Sequence, residues 1–293
     1  MAVPESDPMV VAPTPTPFNT DDSVDHKALE RNIERWLETP LSGFVLTTAN
    51  GEESALSEEE KVKIVQTVSR VNADRRLIIA GIDNPSQSET LRLAGRYAEA
   101  GADLVRLRVP KELPPAAIEQ YFKSVTPRSP VPVVVIHQTF SNAPAAPPEV
   151  LGAICEHDNV FGYITDVDIR FENYVRALVP PDRRFWTCNG GLLAYGMLMG
   201  ANGACMWLGN VAPALCMEIV QLGHDERFAE TRPLQAVASR IDGTVIKHGL
   251  AAVKVALDIL GFEGMRPRSP GQAVSAEAWE EIRGVMIDAG LTG

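Results

Sequence analysis

Apolar residues in this chain fall mostly in short runs, separated by longer stretches with helical spacing. The runs are Met9 to Ala12, Gly43 to Leu46, Leu77 to Ile82, Asp103 to Val109, Val131 to Gln138, Val160 to Asp166, Phe185 to Asn189 and Ala204 to Leu208. Each predicts a strand. Between and after them the spacing predicts helices over Val24 to Glu38, 57–72, Ser86 to Ala100, Pro114 to Ser124, Pro148 to Glu156, from Ile169 onwards, Leu192 to Met199 and Pro213 to Leu222. Runs that are continuous rather than alternating belong to strands buried on both faces, as in a parallel sheet. Strand–helix alternation of this regularity predicts an α/β fold, a closed (β/α)8 TIM barrel over residues 1–224, with a doubly wound sheet as the alternative. Residues 225–293 are expected to form a C-terminal helical extension packed on the barrel, with His248 to Leu260 an apolar-rich helix stopped by Gly261.

The stretch Leu41 to Val65 has the most internal detail. Phe44, Val45 and Leu46 lead into the small, polar loop Thr47-Thr48-Ala49-Asn50-Gly51-Glu52, and Ser57 stands three residues before Glu60, a capping-box spacing. Small hydroxyl and amide side chains at the carboxyl end of a strand let backbone N–H groups approach an anionic ligand. The plainer alternative is an ordinary strand-to-helix turn.

Composition narrows the function classes. With 293 residues, 45% of them apolar, the chain can bury a full core, and its net charge of −11 argues against a nucleic-acid or anionic-membrane surface. A small anionic substrate stays open, because a pocket can be locally basic. No run approaches the ~18 apolar residues of a membrane span. The N-terminus lacks the basic start and apolar centre of a signal peptide, so a cytoplasmic protein is expected. Cys155, Cys188, Cys205 and Cys216 show no CxxC spacing and are expected to be reduced, mostly buried thiols.

Several motifs in fixed order carry a resemblance. Thr16-Pro17-Phe18, Val24-Asp25, Asn50-Gly51-Glu52 with Leu56-Ser57-Glu58-Glu59-Glu60, Ala100-Gly101-Ala102-Asp103 with Pro110, Gly203 with Asn210, Ala212 and Pro213, and Lys254 with Leu257, Gly261 and Arg266-Pro267 run nearly end to end. Together the chain resembles the dihydrodipicolinate synthase / N-acetylneuraminate lyase family of pyruvate-dependent aldolases. The resemblance implies a (β/α)8 barrel with a C-terminal helical extension, assembled as a homotetramer or homodimer. It also implies a Schiff base between pyruvate and a lysine on the sixth strand. Aligning Asn159-Val160-Phe161-Gly162 with that strand places the lysine's position at Ile164, and counting back from Pro148-Glu149 places the family's tyrosine at Ile136. The family's arginine falls at Ser141, its aromatic pair at Lys111-Glu112, and the Gly-Thr-Thr that receives the pyruvate carboxylate at Thr48-Ala49-Asn50. An isoleucine offers no nucleophile, so no imine can form at that position. None of the lysines at 27, 61, 63, 111, 123, 247 and 254 lies on a predicted barrel strand.

The remaining candidates follow from strand parity. Arg106 and Arg108 share one face of the fourth strand. Facing the helices they would be salt-bridge partners, the expected orientation because barrel interiors are usually apolar; facing inward they would bind a carboxylate or phosphate. Asp166 has the parity of Ile164 and is a candidate base, against the plainer role for Asp166 and Asp168 of capping the next helix. Gln138 has the parity of Ile136 and is expected to face the site, whereas His137, a candidate proton carrier, is expected to face the helix layer unless the strand bends. Gly190, after the seventh strand, leaves room for a substrate or starts a helix. His137, Asp166 and Glu52 match no metal-ligand spacing, and no cofactor is called for. Glu52 is expected to brace its loop.

Three readings result. The first is a lyase or hydro-lyase acting on a small anionic oxo acid without covalent catalysis. The second is a catalytically inactive family member that binds a metabolite or stabilises an assembly. The third is an ordinary Schiff-base aldolase using a lysine elsewhere.

Overall fold

The structure, a computed structural model, describes residues 7–139, 143–166 and 168–292. Eight strands form one parallel sheet: β1 (Met9–Pro13), β2 (Gly43–Leu46), β3 (Leu77–Ile82), β4 (Leu104–Arg108), β5 (Val133–Ile136), β6 (Val160–Ile164), β7 (Arg184–Trp186) and β8 (Gly203–Cys205). Neighbours in sequence are neighbours in the sheet, and β1 pairs with β8 in the register Met9↔Gly203 to Val11↔Cys205. The ring closes at Thr187, whose N–H donates to Gly203 O at 3.1 Å and whose carbonyl accepts from Cys205 N at 2.9 Å. The helices α1 (His26–Leu37), α2 (Glu58–Asn72), α3 (Gln87–Glu99), α4 (Pro115–Val125), α5 (Pro148–Cys155), α6 (Ile169–Arg176), α7 (Leu193–Leu198), α8 (Leu208–Val211) and α9 (Pro213–His224) follow the strands. This is the (β/α)8 barrel that the apolar pattern predicted. Three helices come after it: α10 (Phe228–Ile246), α11 (Leu250–Ile259) and α12 (Ala276–Asp288). Among the described residues no helix is long and apolar enough to cross a membrane.

Strand parity divides the core in two. One set of side chains, including Phe44, Leu46, Ala80, Ile82, Val105, Leu107 and Val135, packs outward against the helices. The other set, Met9, Val11, Val45, Ile79, Leu104, Val134, Ile136, Ile164, Trp186 and Cys205, fills the barrel interior. Five strands, β4 to β8, are shorter than the runs that predicted them, and β5 and β8 show why. Beyond Ile136 the chain leaves the β5 ladder, although His137 N still reaches Ile164 O at 3.4 Å. After Cys205 the chain turns at Met206 and Trp207 into α8, so the apolar run to Leu208 is half strand and half helix.

The extension is tied to the loop after β2. Ser57 and Glu60 form the expected capping box at the start of α2: Ser57 Oγ accepts from Glu60 N at 3.2 Å, and Glu60 Oε2 accepts from Ser57 N at 2.8 Å. Glu60 also holds Arg268 at 2.8 Å, and Arg268 N–H donates to Glu52 Oε2 at 2.9 Å. Lys254, fully buried on α11, lies 2.6 Å from Glu52 and donates to the carbonyls of Thr16 at 2.7 Å and Arg266 at 2.8 Å. Glu52 is therefore a brace, as expected from the sequence. Removing one partner of a buried ion pair leaves the other charge uncompensated. We expect Lys254→Met to lose about 3–5 kcal/mol in urea unfolding. A loss below about 1 kcal/mol, the scale of an exposed pair, would show that the brace carries little of the fold.

Candidate functional site

The site is built by one lateral row of the barrel and the layer above it. The parallel registers place Arg108 beside Ile136, Ile136 beside Ile164, and Ile164 beside Trp186. Ile136 and Ile164 both point into the interior and are buried. Two residues further along the same strands, on the same inward parity, stand Gln138, Asp166 and Cys188. These lie at the carboxyl ends of the strands, the face on which TIM-barrel enzymes place their active sites.

Arg106 and Arg108 share the parity of the interior residue Leu104, so both guanidiniums enter the barrel rather than the helix layer. Inward placement overturns the expectation from apolar barrel interiors, and the reason is local neutralisation. Asp83, just past β3, takes Arg106 Nη2 on Oδ1 at 2.9 Å and Arg108 Nη2 on Oδ2 at 3.1 Å. Glu53, in the loop after β2, lies 3.2 Å from the same Arg108 nitrogen. Space for Arg106 comes from Gly81 on β3, where a Cβ would sit 2.8 Å from Arg106 Nη2 and 2.7 Å from Thr48 Cγ2. No motif marks Glu53 or Asp83, and both were missed by the sequence reading.

Gln138 links the arginines to the candidate base. Its amide oxygen accepts from Arg108 Nη2 at 3.1 Å, and its amide nitrogen donates to Asp166. Burial raises the Asp166 pKa above its ordinary value, opposed by hydrogen bonds from Gln138 and Cys188 and by the charges of Arg108 and Arg106. Burial, then the Asp166 charge, hold the Cys188 thiol well above its ordinary value, so it serves Asp166 as a neutral donor. Asp168, by contrast, caps α6, accepting from Arg170 N at 3.0 Å and Phe171 N at 3.1 Å.

Beside this row opens a cavity of about 410 Å³, bordered by Asp83, Arg108, Gln138 and the loop segment from Val109 to Glu112. Lys111, exposed on that segment, is the lysine that borders it; none lies on any of the eight strands. Thr48 is buried against Gly81, while Ala49 and Asn50 lie half-buried in a helical turn ending at Gly51. Thr47, at φ 54°, and Glu52, at φ 59°, take left-handed backbone on either side of this turn. Of the expected site residues Arg108 and Gln138 border this cavity, whereas Thr48, Ala49, Asn50, Arg106, His137, Asp166 and Gly190 do not; Asp166 borders a separate space of about 40 Å³ with Thr165, Glu172 and Thr187. His137 faces the helix layer, packs on Phe171 and accepts from Ala145 N at 2.9 Å through Nε2; burial lowers its pKa to about 4, which leaves the ring neutral. Gly190 is pressed against Asp242 of α10, where a Cβ would meet Oδ1 at 2.7 Å. Ser141 lies outside the described residues. Among those described, no group of three or more His, Cys, Asp or Glu side chains is arranged to hold a metal ion.

Comparison with known proteins agrees with this architecture. A family model described as the dihydrodipicolinate synthetase family matches residues 8–288. The chain is 28% identical over 284 residues to an Emericella nidulans protein described as "Probable 4-hydroxy-2-oxoglutarate aldolase, mitochondrial", covering 92% of this chain and 91% of that one. It is 28% identical over 290 residues to the 4-hydroxy-tetrahydrodipicolinate synthase of Methanothrix thermoacetophila, covering 95% and 96%. Among solved structures, dihydrodipicolinate synthase from Thermotoga maritima superposes with a TM-score of 0.90 at 22% identity, covering 98% of this chain and 99% of that one. At that identity the superposition speaks for the fold alone. Matched by the family model over nearly its whole length, the chain belongs to the dihydrodipicolinate synthetase family.

Proposed function

We propose that this protein is a lyase of its family that acts on a small 2-oxo acid at the carboxyl face of the barrel, without a Schiff base. The lyase class is supported by the relatives, which are named as an aldolase and a synthase. The absence of covalent chemistry is supported chiefly by Ile164. In the resemblance to this family it stands at the lysine's position, and it lies inward on β6 beside Ile136, with no lysine on any barrel strand. In place of an amine, the row above these isoleucines offers Arg108, Gln138 and Asp166.

The proposed roles follow from chemistry. A guanidinium with an adjacent amide can hold a carboxylate or polarise a 2-oxo carbonyl. Asp166 is the base that takes a proton from a substrate hydroxyl, with Gln138 and Cys188 fixing its orientation. Carbon–carbon cleavage would then leave an enolate whose oxygen faces Arg108. The anionic character of the substrate, its 2-oxo group and the homo-oligomeric assembly are part of this proposal. The inactive alternative predicts binding without turnover.

The experiment is calorimetric titration with pyruvate and 4-hydroxy-2-oxoglutarate, followed by an assay for pyruvate release from the latter. We expect saturable binding that Arg108→Met weakens at least about tenfold, the scale of a lost charged hydrogen bond. Equal binding by the variant, or none by the wild type, would contradict the assignment of the anion site. Asp166 must be ionised to accept a proton, and burial raises its pKa. Turnover should therefore fall as pH drops through the raised pKa of Asp166. Asp166→Asn should lower kcat by about 10²–10⁴-fold and remove that acid limb. A variant retaining wild-type kcat and the same acid limb would remove Asp166 from the mechanism.

A further inference from the structure

Glu172, on α6, carries a carboxyl group that is only 1% exposed and that the catalytic steps above leave unused. It is not needed to cap the helix, because Asp168 already accepts from Arg170 N at 3.0 Å and Phe171 N at 3.1 Å. Burying a carboxyl group is costly unless hydrogen bonds compensate it. Glu172 has such bonds at both oxygens. Oε2 accepts from the Tyr163 hydroxyl at 3.0 Å, and Oε1 accepts from the backbone N–H of Asp166 at 3.1 Å. Tyr163 is itself fixed, with its ring stacked on Phe185 at 5.5 Å. Burial first, then the Glu172 charge, hold its phenol far above the ordinary value, so it stays a donor.

Asp166 needs this bond because it stands past the end of the sheet. Among the described residues, the final ladder bonds of β6 are Thr165 N to Trp186 O at 2.9 Å and, from β5, His137 N to Ile164 O at 3.4 Å. The next N–H, that of Asp166, goes to Glu172 in place of a strand. Packing on that side is incomplete as well, since Asp166, Thr165, Glu172 and Thr187 border a space of about 40 Å³. The Asp166 carboxyl is oriented by Gln138 and Cys188, which reach it from the ends of β5 and β7. Both bonds require the backbone at residue 166 to be held in place.

We propose that Glu172 is the positioning residue of Asp166. From the helix layer it pins the Asp166 backbone, and Tyr163 in turn pins Glu172, so that the Asp166 carboxyl stays on Gln138 and Cys188. The catalytic consequence rests on Asp166 as the base of the oxo-acid reading above; the geometric one does not. Glu172 touches no substrate and moves no proton, and acts through Asp166. What it supplies is a hydrogen-bond acceptor at a set place, which makes glutamine a discriminating replacement. A glutamine oxygen can accept from Asp166 N, and its nitrogen can donate to the Tyr163 oxygen, since a phenol both donates and accepts. Methionine fills a similar volume and offers neither bond. Aspartate keeps the charge but falls one methylene short of Asp166 N. A misplacement of about 1 Å can cost on the order of 10² in rate, so a small movement of this backbone reaches kcat.

The geometric part is read on the full-length protein without ligand, from the infrared S–H stretch of Cys188, the thiol that donates to Asp166. This stretch lies apart from other protein bands, and subtracting the Cys188→Ser spectrum isolates it. In Glu172→Gln the band should keep its wild-type position. In Glu172→Met it should move to that of a weaker hydrogen bond, while the band of the buried Cys216 on α9 stays in place. If Glu172→Met fails to fold, Glu172→Asp replaces it with the same expected shift. A Cys188 band unmoved in the variant that folds, or displaced as far in Glu172→Gln, overturns the proposal whether or not oxo acids are turned over. Pyruvate release from 4-hydroxy-2-oxoglutarate reads the catalytic part. Glu172→Met should lower kcat by about 10–10²-fold with KM changed by less than about twofold, and Glu172→Gln should retain most of the rate. On an Asp166→Asn background the same Glu172→Met change should cost nothing further, because the residue it acts through is gone. An equal loss on both backgrounds would mark general structural damage and overturn the positioning role.

Discussion

The ion-paired clasp of Arg106 and Arg108 on Asp83 is the constraint on which the site depends. Two guanidiniums inside a barrel are tolerable only if opposite charge enters with them, because an uncompensated buried charge is costly. Asp83 supplies that charge from the neighbouring strand and binds both arginines, at 2.9 and 3.1 Å. Its demands propagate outward. Position 81 must be glycine-sized to let Arg106 pass, and the loop after β2 must bring Glu53 to Arg108. Residues 47 and 52 take left-handed backbone to shape that loop, and the extension fixes Glu52 through Lys254 and Arg268.

A barrel mouth organised in this way is chemically different from one organised around an amine. Its polar side chains are hydrogen-bonded in sequence from Glu53 through Arg108 and Gln138 to Asp166. Two cations face three carboxyl groups, and the pKa values of two of those groups, Glu53 and Asp166, are raised. On the proposed reading, such a cluster holds and moves protons in place of a covalent bond to substrate. Electrostatic contacts in a water-poor site are stronger than in solution, so even a non-covalent route can stabilise an enolate appreciably.

The fold was legible because it rests on local signals. Short, mainly apolar runs marked the barrel strands, and the capping box of Ser57 and Glu60 stands where its spacing put it. Period-two alternation also paired Ile136 with Gln138 and Ile164 with Asp166, and the structure has all four on the inward parity. What stayed hidden was carried by contacts between distant residues. The direction of Arg106 and Arg108 depends on counter-charges from Glu53, 55 residues away from Arg108, and from Asp83, 23 away from Arg106. Neither acid belongs to a motif. Parity likewise sent His137 toward the helices, and the structure has it there, neutral against Phe171. The closeness of Gly190 to Asp242 is again a tertiary contact, made with a helix far along the chain.

The central claim is that this barrel works without an imine. The most direct measurement is intact mass after incubation with pyruvate and borohydride, followed by peptide mapping. Borohydride would reduce any imine to a stable adduct of fixed mass. The account predicts no specific increment, with Lys111, the lysine bordering the cavity, recovered unmodified. A stoichiometric adduct on Lys111, or on any other single lysine, would contradict it and restore covalent aldolase chemistry to this member of the family.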